Sequence, residues 1–142
     1  MDEQEARRRF AEGRVARMAT VGSDGAPHLV PIVFALDGDD VLSIVDAKPK
    51  RGPELKRLRN IEANPNVALL VDEYREEWER LWWVRADGTG RVEEEGPTRD
   101  RAIELLWAKY DQYRTAWSEP VGAAVVISVH RWRWWSLAGP QA

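Results

Sequence analysis

Residues 46–60, DAKPKRGPELKRLRN, gather positive charge within an acidic chain. Lys48, Lys50, Arg51, Lys56, Arg57 and Arg59 stand against only Asp46 and Glu54, which leaves the stretch at +4 in a protein of formal net charge −3. Pro49, Gly52 and Pro53 make a stiff loop, and Pro53 suits the first turn of a helix. Leu55, Leu58 and Ile61 recur at helical spacing, so Lys56, Arg57 and Arg59 fall on the other faces. A strand that crosses a tight loop into a helix N-terminus offers free backbone N–H groups and the positive helix pole. Lys48 and Lys50 on that loop, with Arg57 and Arg59 in the helix, form a candidate grip for one phosphate or several carboxylates. Each charge-assisted contact contributes about 1.5–3 kcal/mol, so two of them give micromolar anchoring only alongside other contacts. The competing reading is a solvated basic face that keeps the helix soluble.

The elements around this bend are mostly short strands. VARMAT, PHLVPIVFAL and VLSIV are three apolar runs divided by GSDG and DGDD, a meander signal. Pro27 and Pro31 sit awkwardly in the second run, because proline cannot donate to a central ladder. They predict an edge, a bulge, or a place where a ligand takes the missing pairing. After the basic helix, Asn64-Pro65 is a stop and VALLVD a strand. RLWWVRA, DGTG and RVEEE read as a hairpin. Thr98 caps a predicted helix to about Tyr113, with Ala102, Ile103, Leu106, Trp107 and Tyr110 on its apolar face. GAAVVISVHRWRWWSL reads as one long closing strand. Asp2 to Glu12 reads as a short helix ended by Gly13. About six strands and three helices predict a mainly β fold, a small antiparallel barrel with helices outside.

Composition bounds the function. The 142 residues make one domain, residues 1–142, large enough for a real core. Hydrophobic residues at 44% and charged residues at 32% describe a soluble globular chain. The absence of cysteine excludes disulfides, thiolate catalysis and cysteine-bound metals. No apolar run approaches the ~20 residues of a membrane span, and MDEQEARRRFAEG lacks a secretory apolar core. The expectation is a cytoplasmic protein without membrane association. The acidic balance disfavours nucleic-acid binding.

Eight tryptophans stand against two phenylalanines. Alternation puts Trp132 and Trp134 on one strand face and Trp135 on the other, beside Arg131 and Arg133. Most such rings pack barrel cores or subunit interfaces. His28 and His130 are too few for a metal motif, so no metal is expected. For His130 the expectation is a strand-face histidine hydrogen-bonded locally. Asp72, Glu73, Glu76 and Glu77 read as a solvated turn. No nucleophile-and-base arrangement is legible, and no catalytic residue is assigned.

The run from ARMATVGSDGAPHLVPIVFALDGDDVLSIVDAKPK through LKRLRNIEANPNVALLVDEY and EEWERLWWVRADGTGRV resembles the split-barrel flavin-binding fold of pyridoxamine 5′-phosphate oxidase and its deazaflavin-using relatives. KPK, RNIEANP and LWWVR in combination are similar to an actinobacterial subgroup classed as dependent on coenzyme F420, a 5-deazaflavin. The resemblance spans residues 14–135. It implies a six-stranded antiparallel split β-barrel of Greek-key type, working as a homodimer whose two subunits wall the site.

By that resemblance the cofactor phosphate lies on Lys48 and Lys50, reinforced by Arg57 or Arg59, with Asp46 and Ala47 offering backbone. The ring lies against the second strand, at His28, Val30, Pro31 and Ile32. Trp83 stands where the oxidase has a glutamine, a departure that disfavours FMN, since an indole cannot copy both donor and acceptor of an amide. Trp78 and Trp82 belong to the same segment and are expected to line the substrate pocket. The oxidase's C-terminal substrate-binding arginine and histidine have no secure match, which argues against pyridoxamine phosphate. The implied function is hydride transfer between reduced F420 and a small conjugated, enone-like acceptor. The alternatives are an FMN-dependent oxidase or reductase, or a non-catalytic flavin, deazaflavin or haem carrier.

Overall fold

A computed structural model describes residues 1–45, 53–116 and 122–137. Its elements are α1 (Glu3–Glu12), β1 (Ala16–Val21), β2 (Pro27–Ile32), β3 (Ala35–Asp37), β4 (Asp40–Ile44), α2 (Pro53–Ala63), β5 (Asn66–Glu73), a 3-10 turn at Trp78–Arg80, β6 (Trp82–Glu93), α3 (Pro97–Lys109), α4 (Asp111–Ala116) and β7 (Ala124–Ser136). The described strands form one antiparallel sheet in the order β2-β1-β5-β6-β7-β4-β3. Among the described residues seven strands replace the predicted six, four α-helices replace three, and the sheet does not close. Its free edges are β2 and β3. Pro27 and Pro31 therefore sit on an edge strand, where the missing N–H costs no ladder bond.

Two local readings change, for physical reasons. PHLVPIVFAL is not one strand: it breaks after Ile32, and Phe34 turns fully into the core. DGTG is not a hairpin turn, because β6 runs straight through it. A Cβ on Gly88 would lie 2.5 Å from the Ser128 carbonyl oxygen, and one on Gly90 would lie 3.0 Å from Ile127 Cδ1. These glycines let β7 and the core approach. The register slips here, with Asp87 opposite Arg131 and Gly88 opposite Val129, so His130 is the extra residue of a β-bulge and is exposed. GSDG and DGDD do turn, with Gly25 and Gly38 at φ of 83° and 62°.

The helices α1 and α2 close over the sheet's inner face, while α3 packs on Leu42, Ala124 and Val126 of the other face. The Asp2 side chain accepts from the Glu5 N–H at 2.8 Å and starts α1, which buries Ala6 and Phe10. Gly13 ends it at an ordinary φ of −62°, and its role is space, since a Cβ would meet Val71 at 2.6 Å. Phe10 packs on Phe34 at 5.0 Å and edge-on to Trp132 at 5.2 Å. In α3, Pro97 rather than Thr98 opens the helix, behind Gly96. The helix stops at Lys109, and Tyr110 leaves it before α4 resumes at Asp111. Among the described residues no helix is long and apolar enough to cross a membrane.

Candidate functional site

Strand alternation divides the candidate residues between two faces. His28, Val30 and Ile32 point inward from β2, while Pro31 points outward with Leu29. One ring cannot lie against all four from a single side. On the inner face Thr20 opposes His28, and Asn60 of α2 donates from Nδ2 to Thr20 Oγ1 at 3.1 Å. The Nδ1 of His28 is buried with no hydrogen-bond partner among the described residues. Arg57 is turned into the protein at 6% exposure and Arg59 faces solvent, as two positions two apart on a helix must. Asp46, Ala47, Lys48 and Lys50 lie outside the described residues.

The outer face carries a cleft. Its floor is Ala19 of β1, Ala68 and Leu70 of β5, and Trp83 of β6. Trp82, Trp135 and Leu81 wall it, and Arg17, Arg85 and Asp72 rim it. Its volume is about 680 Å³, within the range of small-molecule sites. Trp83 stands directly opposite Trp135 in the β6–β7 ladder and opposite Asp72 in the β5–β6 ladder. Leu29, 66% exposed, and Tyr74, 64% exposed, add apolar surface to the rim. Trp78 stands away from this cleft, 60% exposed on the 3-10 turn.

Trp82 belongs to both clefts of this region. It packs partly on the core, lies under the Arg9 guanidinium at 5.4 Å, and borders a second groove along α1. That groove, about 980 Å³, is lined by arginines and carboxylates in near balance, several of them already paired. Its charge is internally spent.

The charged rim of the outer cleft is ordered. Arg17 meets Asp72 at 3.1 Å. Arg75 beside Glu73 holds that carboxyl below its usual range. Burial alone would raise the Asp87 carboxyl, yet hydrogen bonds from Arg85 and Arg131 outweigh it and hold the group low.

Trp135, Arg17, Arg85, Ala19, Ala68 and Leu70 were not legible as site residues in the sequence. The alternation of ARMAT and VALLV marks which of them point away from the core. Their meeting depends on register between strands distant in the chain.

The family model described as pyridoxamine 5′-phosphate oxidase matches residues 2–136. No curated protein sequence matches the chain. Among solved structures, a conserved hypothetical protein from Mycobacterium tuberculosis is similar at TM-score 0.76 and 23% identity, covering 100% of this chain and 91% of that one. A haem-binding protein from Mycobacterium smegmatis is similar at TM-score 0.76 and 19% identity, over 97% of this chain and 55% of that one. An FAD-binding protein from Mesorhizobium loti is similar at TM-score 0.63 and 20% identity, over 93% and 92%. At these identities the likeness shows the shared fold.

Proposed function

Because the chain belongs to the pyridoxamine 5′-phosphate oxidase family, we propose that it is a cytoplasmic oxidoreductase that binds coenzyme F420 in the outer cleft. One observation carries the reading: a tryptophan-walled apolar cleft of ring-accepting size lies beside the proline-bearing edge strand. Ala19 and Ala68 leave room for a flat ring, and Leu70 and Trp83 offer it apolar contact. The basic bend at Lys48 and Lys50 anchors the acidic tail of the cofactor. A second copy of the chain covers the exposed Leu29 and Tyr74 and completes the wall, making the working unit a homodimer.

Held against Leu70 and Trp83, reduced F420 would supply hydride chemistry toward a small conjugated acceptor. A proton from solvent would complete the reduction of that acceptor. The protein's own contribution is to anchor, orient and exclude water from one ring face. A haem carrier is the second reading, favoured by the fold shared with a protein described as haem-binding and by the unpartnered Nδ1 of His28.

Titration of the purified protein with F420, FMN and hemin, read by tryptophan quenching and cofactor absorbance, tests this. F420 is expected to bind more tightly than FMN, and the Lys48→Ala/Lys50→Ala double variant to bind F420 at least about tenfold more weakly with its fold intact. Equal affinity for F420 and FMN removes the deazaflavin preference. A Soret shift with no F420 binding transfers the assignment to haem.

A further inference from the structure

The outer ends of β6 and β7 carry two cross-strand pairs side by side. Trp83 opposes Trp135, and one pleat further Arg85 opposes Arg133. Positions two apart along a strand share a face about 7 Å apart. Like charges placed directly opposite each other destabilise an antiparallel pair unless an anion answers them. Arg85 has one answer: its Nε and Nη2 donate to Asp87 Oδ1 and Oδ2 at 2.9 and 3.2 Å. Arg131 donates to that same Asp87 Oδ2 at 2.9 Å. Asp87, with 13% of its side chain exposed, is thereby fully engaged. Arg133 is exposed and makes no ion pair among the described residues. Two guanidiniums thus share one carboxylate and Arg133 has no carboxylate among the described residues, next to an indole pair that lines the cleft.

An arginine facing water is ordinarily unremarkable, and solvation alone satisfies it. What sets Arg133 apart is position: a cation opposite another cation, bordering an aromatic platform that walls a ligand-sized cleft. A planar ligand resting on the indoles would bring an acidic substituent about one pleat away to the guanidinium pair, the reach of a propenoate arm from its ring. Arginine pairs suit this because their planar forks take a carboxylate bidentately.

We propose that the Trp83–Trp135 and Arg85–Arg133 pairs form an acceptor subsite for planar conjugated molecules that carry a carboxylate. The inference rests on the reading of the cleft as the reaction site and narrows its substrate class from conjugated acceptors in general to acidic ones. Arg133 holds the carboxylate, Arg85 reinforces it, and Trp135 carries the π-system. Pairing with two guanidiniums also withdraws the negative charge that would otherwise blunt hydride addition to the conjugated alkene.

Trans-cinnamate and its neutral isostere cinnamamide are the probes, titrated into the cofactor-free full chain and followed by tryptophan quenching. Cinnamate is expected to bind about tenfold more tightly than the amide, a difference that falls as salt rises. Arg133→Gln is expected to erase the preference, Arg133→Lys to retain part of it, and Trp135→Phe to weaken both probes alike. Equal affinity for acid and amide, or a preference that survives Arg133→Gln, overturns the subsite. So does a shift of Arg133→Gln from dimer to monomer in sedimentation without any acid preference in the parent protein, which would give Arg133 to a carboxylate of a second copy. F420 titration on the same samples separates the two readings. F420 binding without acid preference removes the subsite alone, and acid preference without F420 binding removes the cofactor reading alone.

Discussion

The end of α3 and the outer cleft both set aromatic rings beside cations, and the partners of those groups differ. At the junction of α3 with the β2–β3 connection, Tyr110 Oη accepts from the Phe34 N–H at 3.2 Å and shares its own hydrogen between the carbonyls of Arg14 and Phe34 at 3.0 and 3.1 Å. Lys109 Nζ donates to the Phe34 carbonyl at 2.9 Å and sits 3.9 Å from the Phe34 ring centre. The Arg14 guanidinium covers the Tyr110 ring at 4.5 Å. Every polar group there has a backbone partner inside the chain. At the outer cleft, Trp83, Trp135 and Arg133 face outward from the middle of the sheet. The same side-chain chemistry closes a fold where its partners are backbone and leaves a surface open where they are missing.

The largest effect expected from breaking this contrast is at the closed knot. Tyr110→Phe keeps the ring but leaves the buried Phe34 N–H without its acceptor. Loss of about 2–3 kcal/mol in urea unfolding is expected, the cost of unsatisfied buried backbone plus the lost bonds. Binding of F420 and of cinnamate, measured below the unfolding range, should be unchanged. A variant as stable as the parent would show that water replaces the hydroxyl and that the knot is open after all.

The converse substitution lies in the cleft. Trp83→Ala removes a half-buried ring on the sheet's outer face, outside the buried core cluster, so unfolding free energy should fall by less than the ~3–5 kcal/mol of a core tryptophan. Its effect belongs to binding: F420 affinity should fall about tenfold, as loss of a ring contact in a small-molecule site does. A variant destabilised by several kcal/mol with unchanged F420 affinity would move Trp83 from the site to the core and dissolve the contrast.

How far these regions could be read from sequence follows from what each depends on. Alternation along a single strand was legible: Trp132 is buried, Trp134 packs on the core, and Trp135 lies with Arg131 and Arg133 on the other face. Turn glycines and packing glycines were not separable, since GSDG and DGTG differ only in what approaches them, and Gly88 is required by the Ser128 carbonyl on β7. The break between β2 and β3 was hidden for a similar reason. Phe34 leaves the strand because Tyr110 and Lys109, far along the chain, satisfy its backbone. The Trp83–Trp135 pairing depends on a register that a bulge at His130 resets. Residues of one strand are ordered by a period of two, whereas a site shared between strands needs the ladder itself.

The smallest effect expected is a pH dependence confined to the closed knot. Burial, helped by the nearby charge of Arg14, pushes the Lys109 ammonium down from an ordinary 10.5 to about 8. Burial also raises Tyr110, so its hydroxyl remains a neutral donor past 10. Below pH 8 both folded and unfolded chains hold the Lys109 proton, and its burial is a constant burden on the fold. Between pH 8 and 10.5 the unfolded chain keeps that proton while the folded chain releases it, so the burden lifts and stability climbs. The climb should be cleanest between about pH 8 and 10, before Tyr110 begins to lose its proton in the unfolded chain and reverses the trend. Lys109→Met keeps the stem and removes the amine, and its unfolding midpoint should lack this component of the rise. Parallel pH profiles for the two proteins would mean that the Phe34 carbonyl and ring hold the charged form as well as water does, which would place Lys109 with the solvated cations of the outer cleft.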